Sequence, residues 1–343
     1  MTQPLPDDRP DDRPDEVAPA LEARGVTVRL GTGRGARTIV HALDMTVPAG
    51  AVVGLVGRNG AGKTTLLDTL VGRRAPHAGA WRLRGCPSLD LSDAVAGRGG
   101  DVAPTAPVFA GGGGLPPPGG ARRLLGCPSM DLTDAVRERL GYVAQTPDLF
   151  DGLDGRQHLA RIGRLYAGWN EARAEALAAK FGLDLGTQAS RLSLGDQQKL
   201  SLVLALGHDP DLLLLDEPVA SLDPMTRREF MRTLFERRWI NQPARTVLVS
   251  SHLLTDLERV VSHVAFLREG RLQLFDEWDA VAEHVRLLEL PADSSARPQG
   301  PGVIASAERD GRVRIVFDAR RAAAPPASGR ALSLEDLFVE LNT

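Results

Sequence analysis

Lysine is nearly missing from this chain: of its 41 basic residues, all but Lys63, Lys180 and Lys199 are arginine. With abundant Ala, Gly and Pro, this reads as the trace of a GC-rich coding sequence rather than an arginine surface built for phosphate backbones. It also makes a lysine at a position that needs an ammonium group harder to dismiss. Long apolar runs are absent too. Nowhere do 18 apolar residues stand in a row, which excludes a membrane-spanning helix. The segment Met1–Glu16 has no apolar stretch of the secretory-signal type and writes Asp-Asp-Arg-Pro twice, at 7–10 and 11–14. Residues 1–22 are expected to form a disordered tail. Strong charge of either sign is also lacking: the net charge of −3 gives no reason to expect a nucleic-acid partner. What remains is ordinary for a soluble globular protein, 43% hydrophobic and 25% charged. A length of 343 residues suffices for one large domain with an appendage, or for two modest domains.

The chain repeats itself once. Gly85-Cys86-Pro87-Ser88 returns as Gly126-Cys127-Pro128-Ser129, and at that offset of 41 residues 79–111 match 120–152 at 20 of 33 positions. Only a tandem duplication explains such a match, and two copies are too few for a solenoid. Cys86 and Cys127 are thus copies of one position, which argues for free thiols rather than a disulfide or a metal pair. Between the copies, 111–120 is a run of Gly, Pro and one Leu, a linker that cannot build a core. The second copy contains Gly141-Tyr142-Val143-Ala144-Gln145, where the first has Gly100-Asp101-Val102-Ala103-Pro104. Roughly 82–122 therefore reads as a dispensable surface insertion.

Three segments carry chemistry. Ala51–Val56 suits a buried parallel strand and feeds into Gly57-Arg58-Asn59-Gly60-Ala61-Gly62-Lys63-Thr64-Thr65, after which a helix begins. The glycines let the backbone wrap around phosphates, so that amide hydrogens and the helix N-terminus face the anion. Lys63 would reach the β- and γ-phosphates, and the Thr64 hydroxyl would coordinate Mg²⁺. Further on, Leu212–Leu215 ends in Asp216-Glu217. Buried parallel strands present functional groups at their carboxyl ends, so Asp216 is placed to bind Mg²⁺ through water and Glu217 to act as general base. Between these lies Leu192-Ser193-Leu194-Gly195-Asp196-Gln197-Gln198-Lys199, opening a helix. Ser193, Gly195 and the first-turn amides there make a second anion site.

This order of motifs resembles the ATP-binding-cassette (ABC) family, with Ser193-x-Gly195 as its signature. The match covers about 24–285. Leu194 and Asp196 depart from the usual Leu-Ser-Gly-Gly-Gln. The resemblance implies that ATP is sandwiched between Gly57–Thr65 of one subunit and Ser193–Gly195 of another. It further implies that Asp223, in Ser221-Leu222-Asp223-Pro224, belongs to a loop linking the two sites. His252 corresponds to the switch histidine on the γ-phosphate, and Gln145 to the glutamine that reaches the metal-bound water. The family's adenine-stacking aromatic is missing, with Arg29 or Leu30 in its place. The expected fold is α/β: a P-loop NTPase core of ABC type over 23–285, with a helical subdomain at about 146–207. A small α+β appendage follows over 286–343, ending in Leu334-Glu335-Asp336-Leu337-Phe338. The implied function is that of the ATPase subunit of a transporter, an exporter by the resemblance of its tail, acting as a homo- or heterodimer on a separate membrane permease. It would sit at the cytoplasmic face of a bacterial membrane, with Gln145–Gln157 against the permease. Alternatives are a soluble, non-transport ABC ATPase and a catalytically weak regulatory subunit.

Overall fold

The computed structural model describes residues 19–31, 33–83, 86–87, 134–235, 245–294, 297–321 and 329–342. Three sheets organise them. The central one has six strands in the order β10-β9-β3-β8-β7-β6: β3 (Val52–Val56), β6 (Leu140–Val143), β7 (Leu212–Asp216), β8 (Thr246–Ser250), β9 (His263–Arg268) and β10 (Arg271–Glu277). All neighbours are parallel except the β9–β10 hairpin. Such strands are covered on both faces and so read as continuous apolar runs. In β7, Leu213 and Leu215 join one buried cluster while Leu212 and Leu214 join the other. Alternation of side chains across the pleat requires this division.

One face is covered by α1 (Lys63–Leu70) and by an antiparallel sheet ordered β2-β1-β4-β5. Its strands are β1 (Leu21–Leu30), β2 (Arg37–Val47), β4 (Ala78–Leu83) and β5 (Cys86–Pro87). A short helix, α2 (Asp134–Arg137), precedes β6. The other face packs against the expected helical subdomain, α3 (Gly155–Gly163), α4 (Glu171–Lys180) and α5 (Leu194–Leu206). Asp154 and Gln157 form a reciprocal capping box at the start of α3, and Asn170 caps α4. After β7 come α6 (Pro224–Leu234) and, after β8, the single turn α7 (Leu254–Leu257). The appendage consists of α8 (Trp278–His284) leading into an antiparallel sheet ordered β12-β13-β11-β14, closed by α9 (Leu334–Leu341). Its strands are β11 (Val285–Pro291), β12 (Val303–Arg309), β13 (Arg312–Asp318) and β14 (Arg330–Ala331). Leu334, Leu337 and Leu341 of α9 are buried in the same cluster as β9, so the appendage docks on the central sheet.

Some boundaries move. The first strand begins at Leu21, which is fully buried and pairs with Val47, so 21–22 belong to the sheet and not to a tail. Within 253–261 only one helical turn forms, and the appendage sheet starts at Val285 rather than after it. Residues 1–18, and most of the 82–122 insertion with Cys127, lie outside the described residues. Within that segment, Arg82 and Leu83 complete β4, which pairs with β1. A deletion of 82–122 would place Arg123-Leu124 after Trp81, restoring the same two residues. Such a chain is expected to fold with a melting temperature within about 4 °C of the intact protein. Loss of the cooperative thermal transition, followed by circular dichroism, would show that the segment is needed.

Candidate functional site

The loop after β3 is shaped by its glycines. A Cβ on Gly57 would lie 2.4 Å from the Leu267 carbonyl oxygen, so the loop can pass under β9 only with glycine there. Gly62 has φ +102° and occupies the N-cap of α1, where no side chain accepts from the first-turn amides. Those amides and the helix N-terminus are left for an anion. Lys63 is buried and points back under the loop. Its Nζ donates to the carbonyl oxygens of Gly57 (2.7 Å) and Arg58 (3.4 Å) and stands 4.0 Å from Glu217 Oε1. Burial pushes the Lys63 pKa below its ordinary value, with Glu217 and then Asp216 acting in the opposite sense. Arg58, Asn59, Gly60 and Thr64 are exposed, whereas Ala61 is buried and Thr65 half-buried.

The parallel register of β7 and β8 pairs Asp216 with Ser250. The Ser250 hydroxyl donates to Asp216 Oδ1 (2.6 Å) and accepts the Glu217 amide (2.9 Å), so one serine aligns both carboxylate residues. Glu217 sits at φ +48°, a left-handed conformation that is costly outside glycine and clusters at functional sites. Its Oε2 lies 2.7 Å from His252 Nδ1 and also accepts the His252 amide at 3.3 Å. Lys63, Asp216, Glu217 and His252 are thus brought together. Ser250 and its part in this cluster are not legible from sequence, beyond its place at the end of an apolar strand.

Asp216 is fully buried, and its Oδ2 has no hydrogen-bond partner. A buried, unsatisfied carboxylate oxygen beside a phosphate loop fits a cation's coordination sphere. Among the described residues no group of three His, Cys, Asp or Glu could hold a metal. A divalent ion here would therefore use the donor types Mg²⁺ takes: a carboxylate, the Thr64 hydroxyl, the Gln145 amide oxygen and phosphate oxygens. Gln145 is exposed just after β6, the strand beside β7. The preceding carbonyl, Ala144 O, accepts from the buried Gln198 Nε2 of α5 at 3.2 Å. That contact, which the sequence did not announce, ties the signature helix to the Gln145 loop.

Ser193 is the N-cap of α5, accepting the Asp196 amide at 3.1 Å. A Cβ on Gly195 would come 3.3 Å from Leu222 Cδ2, so the helix start abuts the loop before α6. Asp223 caps α6, its Oδ1 accepting the Met225 and Thr226 amides. No hydrogen bond or ion pair among the described residues joins Ser193, Gly195 or Asp223 to the Lys63 cluster. Ser193, Leu194 and Asp223 instead face outward, with Leu194 51% and Met225 74% exposed. On the far side of the loop, β2 and the β9–β10 turn border an open cleft of ≈ 1070 Å³, with Arg37, Ile39, His41, Arg58 and Arg271 on its walls. Arg29 and Leu30, the residues expected against the base, are not among its lining residues. Guanidinium planes and an aliphatic side chain are what the cleft offers an aromatic base.

The family model "ABC transporter" matches residues 40–102 and 117–220, breaking off inside the duplicated region. Among curated proteins, the chain is 27% identical over 240 residues to the bacitracin transport ATP-binding protein BcrA of Enterococcus faecalis, spanning 69% of this chain and 64% of that one. It is 32% identical over 264 residues to the Nod factor export ATP-binding protein I of Burkholderia lata, spanning 74% and 69%. With the aliphatic sulfonates import ATP-binding protein SsuB of Shigella flexneri it shares 31% over 261 residues, spanning 74% and 83%. The chain thus spans just under two thirds of the BcrA length. A dimeric post-hydrolysis structure of the ATP-binding cassette MJ0796, bound to ADP and Pi, matches with a TM-score of 0.57 at 18% identity. That match covers 75% of this chain and 98% of the other and shows a shared fold.

Proposed function

The chain belongs to the ABC transporter family as an ATP-binding subunit, and from that premise we propose that it hydrolyses ATP with Mg²⁺ to drive a separate membrane permease. The observation that carries this is the convergence of Lys63, Asp216, Glu217 and His252 at the carboxyl ends of β3, β7 and β8. In this reading the γ-phosphate draws the Lys63 ammonium from the Gly57 carbonyl, which also loosens its hold on Glu217. The Glu217 carboxylate then accepts a proton from water as the water oxygen attacks the γ-phosphorus, and the bond to the β–γ bridging oxygen breaks to release ADP. Asp216, Thr64 and Gln145 would hold Mg²⁺, which neutralises charge on the phosphate oxygens when bound. His252 keeps Glu217 oriented.

The outward-facing Ser193–Gly195 and Asp223 support a second subunit, because among the described residues no hydrogen bond or ion pair joins them to the Lys63 cluster of their own chain. Among the described residues no helix is long and apolar enough to cross a membrane, consistent with a permease on another chain and a peripheral place at the cytoplasmic face of the membrane. Export is the favoured direction, supported by the likeness to a Nod factor exporter and by the small C-terminal appendage. Affinity capture from detergent-solubilised membranes is the test. A polytopic membrane protein should co-purify stoichiometrically, whereas recovery on ribosomes or DNA would favour a soluble, non-transport ATPase.

A further inference from the structure

The signature segment carries an anion of its own. Ser193 has one hydroxyl hydrogen to give, and it gives it to Asp196 Oδ2 at 2.8 Å. The Asp196 amide returns a hydrogen bond to Ser193 Oγ at 3.1 Å. Lys199 Nζ secures the other carboxylate oxygen, Asp196 Oδ1, also at 2.8 Å. Burial opposes ionisation of Asp196, but hydrogen bonds from Lys199 and Ser193 outweigh it and hold the carboxyl below its ordinary range. The carboxylate is therefore charged, and it occupies the hydroxyl donor that a phosphate would need. The surroundings are open: Ser193 is exposed and Leu194 beside it is 51% exposed, so the hydroxyl that Asp196 engages is within reach of an anion from outside the chain.

We propose that Asp196 is a built-in competitor for phosphate: in the separate subunit it holds the Ser193–Gly195 site shut, and closure on a partner requires the γ-phosphate to displace its carboxylate from Ser193. This rests on the two-subunit reading above. Displacement exchanges one anion for another at the same hydroxyl and helix N-terminus, with Lys199 left close by as the neutralising cation. The latch raises the ATP concentration needed for closure and leaves nucleotide binding at the Lys63 loop untouched. ADP, lacking the γ-phosphate, cannot open it.

The test uses the full chain carrying Glu217→Gln, with and without Asp196→Asn, which removes the charge at nearly constant shape. Dimer formation is followed by light scattering against ATP concentration, and ADP binding to the Lys63 loop by calorimetry. The expected result is a fall of about tenfold in half-maximal ATP for the Asp196→Asn protein, with ADP affinity unchanged. An unchanged or higher ATP requirement for the Asp196→Asn protein would overturn the latch and leave Asp196 as a helix cap, whereas no dimer in either protein at saturating ATP while ADP still binds would overturn the two-subunit reading, and the latch with it. Failure of both proteins to bind ADP would instead overturn the nucleotide-subunit reading itself.

Discussion

Glu217→Gln is expected to slow ATP hydrolysis by at least about 100-fold, the usual scale for losing a general base, and to accumulate an ATP-bound dimer. The amide keeps the size of the side chain and can still meet His252, so the left-handed backbone at φ +48° and its bond to Ser250 should survive. What it loses is the ability to take a proton from the attacking water. It also removes a negative charge 4.0 Å from Lys63, freeing the ammonium for phosphate. Binding is thereby favoured while chemistry is blocked, which is why the closed state should persist. Phosphate release and size-exclusion chromatography with light scattering measure the two effects. Equal, slow hydrolysis by the variant and the wild type would mean that Glu217 is not the base, and would favour a regulatory subunit without catalytic power. The make-up of the trapped species is informative as well. If the Asp196 latch resists self-closure, the trapped dimer forms more readily with a different ABC subunit.

The second large effect is expected from Lys63→Ala. ATP and ADP affinity should fall by about 100-fold or more, since a charge-assisted contact to phosphate in a nearly dry site is lost. Folding should be affected far less. Lys63 is buried to within 7% of full enclosure, and burial lowers its pKa, so its charge is not favourably housed in the absence of nucleotide. Removing it relieves that cost while leaving the Gly57 carbonyl short of a partner and Glu217 and Asp216 uncompensated. These terms oppose each other, and a melting temperature close to wild type is the expected control. Lys63→Arg should not rescue binding, because a planar guanidinium cannot occupy the narrow space beneath Gly57 that a single Nζ fills. Nucleotide affinity retained by the alanine variant would remove the loop from the site.

Much of this site was legible from the chain. The phosphate loop is a contiguous segment whose demands fall on its own backbone: Gly57 because β9 passes over it, Gly62 because φ is +102°. Leu212–Leu215 revealed a doubly covered strand, and such a strand fixes where Asp216 and Glu217 emerge. Less legible were elements whose ends depend on packing. Apolar residues recur through 253–261, yet only one helical turn forms before the chain is drawn toward β9 by Ser262, which exchanges hydrogen bonds with Val52. The strand at Leu21 was hidden behind the polar composition before it, because its burial comes from β2, some twenty-five residues later.

The sequence alone determined which groups can do chemistry and in what order they come, because the loop, the strand ends and the helix start each depend on local spacing. It also exposed Asp196 as a departure from the family's usual signature. Only the tertiary structure decided what these groups do to one another. Ser250 reaches both Asp216 and Glu217 because β7 and β8 lie side by side in parallel register, a pairing between residues 34 apart. Gln198 reaches Ala144 because α5 crosses the end of β6. Hydrogen bonds are short and directional, so their pairing is settled by how strands and helices pack, and no local pattern of residues specifies it.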